Sequence, residues 1–257
     1  MMTTLAERPL GELVRECVDR ARVLERLGID YCCGGKRTLA DACRERGLSA
    51  EEVERELMAA GTIAGASEND WSQAPLAELV EDILTRHHAY LRSELPRLGD
   101  LLNKVVARHA DMHAELPLLH ETFAELWDEL RSHMMKEERV LFPYIVRLEH
   151  AVQSRQALPQ FHCSSVLQPI AVMEQEHRFV GEALERIRAL TNNHEPPADA
   201  CNSWRALWNG LAELEKDLHL HIHKENNILF PRAVELEAAV AQNAPNGQGV
   251  ACRATSR

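Results

Sequence analysis

His133-Met-Met-Lys-Glu137-Glu-Arg-Val-Leu-Phe-Pro143 is a stretch the chain repeats, as His221-Ile-His-Lys-Glu225-Asn-Asn-Ile-Leu-Phe-Pro231. Both copies read H-x-x-x-E-x-x-(V/I)-L-F-P and lie 88 residues apart. Residues four apart on an α-helix stand one turn above each other on nearly the same face. Each copy therefore turns an imidazole and a carboxylate toward one neighbour, which is how a helix offers two ligands to a metal ion.

The repeat continues upstream. Leu119, Phe123, Leu126 and Leu130 match Leu207, Leu211, Leu214 and Leu218 at the same offset, in alternating steps of four and three. His133, Glu137 and Val140 carry the series on, as do His221, Glu225 and Ile228. The polar pairs thus occupy positions that the periodicity assigns to a buried stripe. A buried carboxylate without partners is costly or gives up its charge. Two such pairs at equivalent places imply a compensating charge between them, for which a cation is the economical answer.

Two further helices repeat as well. His88 and His177 are 89 residues apart, and Ile83, Leu84, Leu91, Leu95 and Leu98 match Val172, Met173, Val180, Leu184 and Ile187. The order is a His helix followed by an H-x-x-x-E helix, twice, which predicts an all-α, metal-binding four-helix bundle. The candidate ligands are His88, His133, Glu137, His177, His221 and Glu225. Four imidazoles and two carboxylates suit iron or manganese better than a structural zinc, which usually takes four ligands. The symmetry suggests two metals with two histidines each and both glutamates bridging, leaving positions open to an oxo bridge or a small diatomic. His87 can share a face with Ile83 and Leu91 and competes with His88, which the repeat favours. His219 and His223 lie two positions either side of His221 and are expected in solvent. His109, His113 and His120, in or beside the first connection, are expected on the surface, and Glu129 and Glu176 as solvated carboxylates.

Bulk properties narrow the function. Net charge is −11 over 257 residues, with a pI near 5.6, which argues against nucleic acid and against an anionic membrane surface. No apolar run approaches a membrane span, and no basic start leads into an apolar core. Seven cysteines, an odd number without a small-scaffold spacing, fit a reducing compartment and a cytoplasmic protein.

Residues 1–60 read as a small helical domain. An amphipathic helix is expected over 10–27, capped by Gly28, followed by the turn Asp30-Tyr-Cys-Cys-Gly-Gly-Lys36. A short helix from Thr38 to Gly47 and a third opened by Ser49, with Glu52 completing a capping box, finish it. Residues 61–75 read as a linker and 76–242 as the bundle, with helices near 76–95, 118–152, 168–191 and 201–240. Pro143 and Pro231 predict a kink or an altered last segment. The tail 243–257 is expected to be disordered.

Ser132 to Pro143, His221 to Pro231, and the segment Val172-Met-Glu-Gln-Glu-His177 resemble the motifs of the RIC (repair of iron centres) family, a branch of the hemerythrin-like di-iron proteins. Tyr31-Cys32-Cys33-Gly34-Gly35 resembles the cysteine-pair domain that precedes the bundle in that family, so the likeness covers almost the whole chain. The resemblance implies a hemerythrin-like four-helix bundle holding two iron ions on the six residues above. It also implies functional vicinal thiols at Cys32 and Cys33. The implied role is repair of iron–sulfur clusters damaged by nitric oxide or oxidants, with damaged iron–sulfur proteins as partners. Two departures are a longer stretch between the first two helices and the Arg86-His87-His88 run. In a glycine-rich turn beside Lys36 and Arg37, the two cysteines are expected to be exposed with some thiolate character, whereas Cys17 and Cys43 are expected in helix cores. An alternative is a centre that binds or reduces nitric oxide. A dioxygen carrier or sensor is disfavoured by the symmetric four-His, two-Glu set. A homodimer is compatible with the sequence.

Overall fold

The computed structural model describes residues 4–62, 71–154, 156 and 165–243. The apolar periodicity of 10–27 predicts one helix, but the chain makes two, α1 (Leu10–Glu16) and α2 (Arg20–Arg26). Cys17, extended at φ −152° and ψ 103°, breaks them. Arg20 Nη1 donates to Leu13 O at 3.0 Å, satisfying a carbonyl at the end of α1. Helix α3 (Leu39–Arg46) starts at Thr38, whose hydroxyl accepts from Asp41 N–H, and stops at left-handed Gly47, φ 66°. Helix α4 (Ala50–Thr62) follows Ser49, whose Oγ accepts from Glu52 N–H at 3.4 Å. Leu10, Leu13, Leu24, Leu39, Cys43 and Leu57 are buried in one apolar cluster that continues into the bundle. The module therefore leans on the bundle rather than on its own small core.

Four long helices follow. Helix α5 (76–109) joins Leu76–Asp82, a π-turn Ile83–His88 and Ala89–His109. Helix α6 (115–153) joins Glu115–Lys136, a π-turn Glu137–Leu141 and Phe142–Gln153. Helix α7 is Leu167–Leu190, and α8 (202–243) joins Asn202–Lys224, a π-turn Glu225–Leu229 and Phe230–Asn243. Helix α5 runs past the expected 95 to His109, because Leu95, Leu98, Leu102 and Val105 go on burying one face beyond Pro96. Helix α6 packs against α5 and α7, and α8 against α5. Glu149 of α6 accepts from Leu76 N–H (2.7 Å) and Ala77 N–H (2.9 Å), capping α5. Glu237, 88 residues later, accepts from Val166 N–H at the start of α7 (3.0 and 3.1 Å). The duplication thus extends to the helix caps.

The π-turns correct the sequence register. Each inserts about one residue into the helix, so apolar positions beyond it rotate. Val140, assigned to the buried stripe, is 43% exposed, with Leu141 and Phe142 buried instead, whereas its counterpart Ile228 in the second π-turn is buried as expected. Val172, matched to Ile83, is 48% exposed while Ile83 is fully buried. Helix α7 has no π-turn, so the counterpart of Ile83 is Met173, which is buried. Pro143 and Pro231 each sit second in the segment after a π-turn, where their missing N–H and ring are accommodated. The turn at Ile83–His88 has no proline to announce it.

Of the expected linker, residues 63–70 lie outside the described residues. Trp71 is not free chain: it is buried against the bundle, and its carbonyl accepts from Arg232 Nη1 at 2.7 Å. Of the expected disordered tail, residues 244–257 likewise lie outside the described residues. Two apolar clusters fill the bundle, one reaching Leu91, Leu130, Val180 and Leu218, the other starting at Ile83, Leu141, Met173 and Leu229. Between them lies a polar layer.

Candidate metal centre

That layer contains all six candidate ligands, each at most 1% exposed. They form two groups, His88, Glu137, His221 and Glu225, and His133, Glu137, His177 and Glu225, sharing both carboxylates. Glu137 Oε2 lies 3.3 Å from His88 Nε2, and Glu137 Oε1 lies 3.3 Å from His133 Nε2. Glu225 Oε1 lies 3.0 Å from His221 Nε2, and Glu225 Oε2 lies 3.0 Å from His177 Nε2. His177 Nε2 and His133 Nε2 are 3.0 Å apart. Each carboxylate therefore spans both groups, one oxygen toward each.

The outer nitrogens of three imidazoles are engaged. His88 Nδ1–H donates to Glu138 (2.7 Å), which also accepts from Arg92. His133 Nδ1–H donates to Glu176 (2.9 Å), which also accepts from Lys136. His177 Nδ1–H donates to Asn226 Oδ1 (2.8 Å). Parking the proton on Nδ1 turns the Nε2 lone pair inward, the tautomer that binds a metal. His88, not His87, enters the layer. His87 Nδ1–H instead donates to Asp217 (2.8 Å), and its Nε2 accepts from the buried Lys224 ammonium (3.0 Å).

Electrostatics fit a cation. Both oxygens of Glu137, Oε2 of Glu225 and Nε2 of His88 are buried without a hydrogen-bond partner. Burial and mutual repulsion push Glu137 up, but His133 and His88 outweigh them and hold it below the usual carboxylate range. Glu225 is held well below that range, because His221 and His177 outweigh its burial. Burial lowers His133, yet Glu137 and Glu176 push it up to about 10. His221, where burial dominates, is lowered. Two ionised acids are thus buried face to face, neutralised only by protons borrowed by the imidazoles. A pair of divalent cations would supply that charge directly and use every orphaned atom, so the donor set fits the metal.

Several outer residues depart from the sequence reading. Glu176, expected in solvent, backs His133. Tertiary packing across α6 and α7 creates that contact, and only its place beside His177 hinted at it. The sequence reading does not single out Glu138 or Asn226, each directly after a candidate-ligand glutamate. His223 is buried and His219 half-buried rather than solvated, because Tyr31 packs edge-on against both, ring centroids 5.6 and 6.0 Å away. Desolvation lowers both histidines. His109 and His113 are half-buried against Trp204, while His120 is exposed.

The cysteine turn lies over the layer. Cys32 is buried and Cys33 half-buried, correcting the expectation of an exposed pair. The Cys33 thiol and burial push the Cys32 thiol well up, so Cys32 lacks the expected thiolate character. Asp30 organises the turn, its carboxylate accepting N–H from Cys32 (2.9 Å), Cys33 (3.0 Å) and Gly34 (2.8 Å). Cys33 Sγ donates to the carbonyl of His177 (3.4 Å), and Asn226 Nδ2 donates to Cys32 O (3.4 Å). Asn227 donates to Tyr31 O and Cys32 O, and a Cβ on Gly11 or Gly35 would overlap its amide. A cleft of about 190 Å³ opens here, lined by Cys32, Cys33, Lys36, Glu174, Arg178 and the two asparagines. Cys43 is buried as expected, whereas Cys17 is half-buried at the break between α1 and α2.

Residues 79–233 match the hemerythrin HHE cation binding domain family, and residues 6–61 match a domain of unknown function, DUF542. Proteins named iron-sulfur cluster repair protein YtfE, from Escherichia coli O157:H7, Shigella boydii serotype 4 and Escherichia coli K12, are each 42% identical to this chain over 228 residues. The match covers 89% of this chain and 97% of each relative. No helix among the described residues is long and apolar enough to cross a membrane.

Proposed function

This chain belongs to the hemerythrin HHE cation-binding family, and from that premise we propose that it is a di-iron protein that repairs iron–sulfur clusters damaged by nitrosative or oxidative stress. The observation that carries the reading is the pair of buried groups sharing Glu137 and Glu225. His88 and His221 would hold one iron and His133 and His177 the other, with both carboxylates common to the two. When bound, iron supplies redox chemistry and open positions for a diatomic such as nitric oxide or dioxygen. The protein's part is to exclude bulk water with the two apolar clusters, to keep Nε2 of His88, His133 and His177 a proton-free donor through their Nδ1 partners, and to hold both acids ionised. The names of the relatives support repair as the task, with damaged iron–sulfur proteins as partners. Five described cysteines are free thiols, which supports a cytoplasmic setting.

Cys33, at the cleft and in contact with His177, is the group placed to receive iron or a nitrosyl group, with Cys32 beneath it. The burial of the layer favours a second reading, consumption of nitric oxide: a diatomic can reach residues that no client protein can touch. Protein isolated without air is expected to carry two irons per chain and to pass iron to an apo cluster protein. Cys33→Ala should keep the iron and lose the transfer. Nitric oxide turnover with an electron donor, surviving both Cys32→Ala and Cys33→Ala without any iron transfer, would replace repair with the second reading.

A further inference from the structure

The duplicated halves supply the same ligands but not the same supports. At an offset of 88, His133, Lys136, Glu137 and Glu138 correspond to His221, Lys224, Glu225 and Asn226; at 89, His87 and His88 correspond to Glu176 and His177. Equivalent positions perform equivalent jobs in three places. Glu138 accepts from His88 and Asn226 from His177, while Glu176, paired with Lys136, accepts from His133. The fourth place fails. Where the repeat would put a carboxylate against His221, the chain has His87, whose ring stacks on His221 at 5.2 Å and 3°. Both nitrogens of His87 are committed, one to Asp217 and one to Lys224. His221 Nδ1 is buried with no partner among the described residues.

Resting on the di-iron reading, we propose that the two metal positions are unequal: the His88–His221 position is the weaker and releases its iron first, because His87 stands where Glu176 stands in the other half. A ligand histidine is oriented and made more basic by an acceptor on its outer nitrogen, and loss of such an acceptor costs about 10–100-fold in metal affinity. The His133–His177 position has an acceptor behind each ring, a carboxylate and an amide. The His88–His221 position has one. One half of the centre is thereby a store that empties, and the other a site that stays filled, directly under the cysteine turn.

The test is release of ferrous iron from anaerobic, fully loaded protein to an excess of a ferrous chelator. Wild type should empty in two equal phases whose rates differ by about 10–100-fold. His87→Glu should slow the fast phase toward the slow one, and Glu176→His should speed the slow phase toward the fast one. A single phase in wild type overturns the proposal whatever the variants do. So do two phases that neither variant shifts. Failure of the premise looks different: a chain that takes up no iron removes the di-iron reading, and this proposal with it.

Discussion

Glu215 and Glu225 lie on one helix, both buried, yet they are handled in opposite ways. Glu215 brings its own compensation. Arg188 donates to it at 2.9 and 2.5 Å, His194 at 2.7 Å, and these partners hold it below the usual carboxylate range against its burial. Glu225 faces imidazoles and a second acid, Glu137, and its Oε2 and both oxygens of Glu137 lack a hydrogen-bond partner. A buried acid that is part of the scaffold carries a permanent cation of its own chain. One that serves a metal keeps its place open. The contrast marks Glu137 and Glu225 as candidate metal carboxylates without reference to any relative.

The sharpest way to break this contrast is to remove the open acids. Glu137→Ala or Glu225→Ala should abolish binding of the metal pair. Stability should fall with it, because ligands at about 1,000-fold their dissociation constant add about 4 kcal/mol per site. Metal analysis and thermal melts with and without chelator read both effects, and a variant that kept two ions would exclude shared carboxylates. Next comes the compensated acid. Arg188→Ala strands a buried charge and should cost about 3 kcal/mol in urea unfolding while leaving metal content intact.

Acid titration tests the same pair more finely. Glu215 is depressed in the folded chain, so its contribution is present above its unfolded value of about 4.3 and is lost as pH falls through the folded value. Glu215→Gln should therefore flatten the acid limb of the stability curve measured on apo protein. A limb as steep as wild type would show that Glu215 is not depressed. The smallest effect concerns the cysteine turn. Gly35→Ala overpacks the Asn227 contact and should cost about 1–3 kcal/mol. It should also raise the alkylation rate of Cys32 and leave bound metal unchanged.

The two-fold and the buried layer of imidazoles and carboxylates are legible because chemistry and periodicity coincide there: imidazole and carboxylate four apart, on an apolar stripe, twice. What stayed hidden has one of two physical causes. A fixed 3.6-residue period registers neither a π-turn, which leaves Val172 outside where the repeat matches it to Ile83, nor the extended Cys17 that splits the expected first helix. The other cause is long-range contact. Nothing local to Cys32, His223 or Glu176 says that the cysteine turn docks on the bundle and buries the first two, or that α6 brings His133 to the third. Trp71, within the expected linker, departs for the same reason: it packs into an apolar cluster of the bundle, and Arg232, far along the chain, holds its carbonyl.

The π-turns at Glu137–Leu141 and Glu225–Leu229 also make the centre an edit that can be undone. Each is equivalent to one surplus residue, worth about 100° of rotation for everything downstream. Excising that surplus residue from either segment would let the helix return to regular winding with its LFP end still in phase, and would remove the bulge that begins at the acid. The placement of Glu137 and Glu225 therefore depends on the length of these segments as well as on side-chain identity.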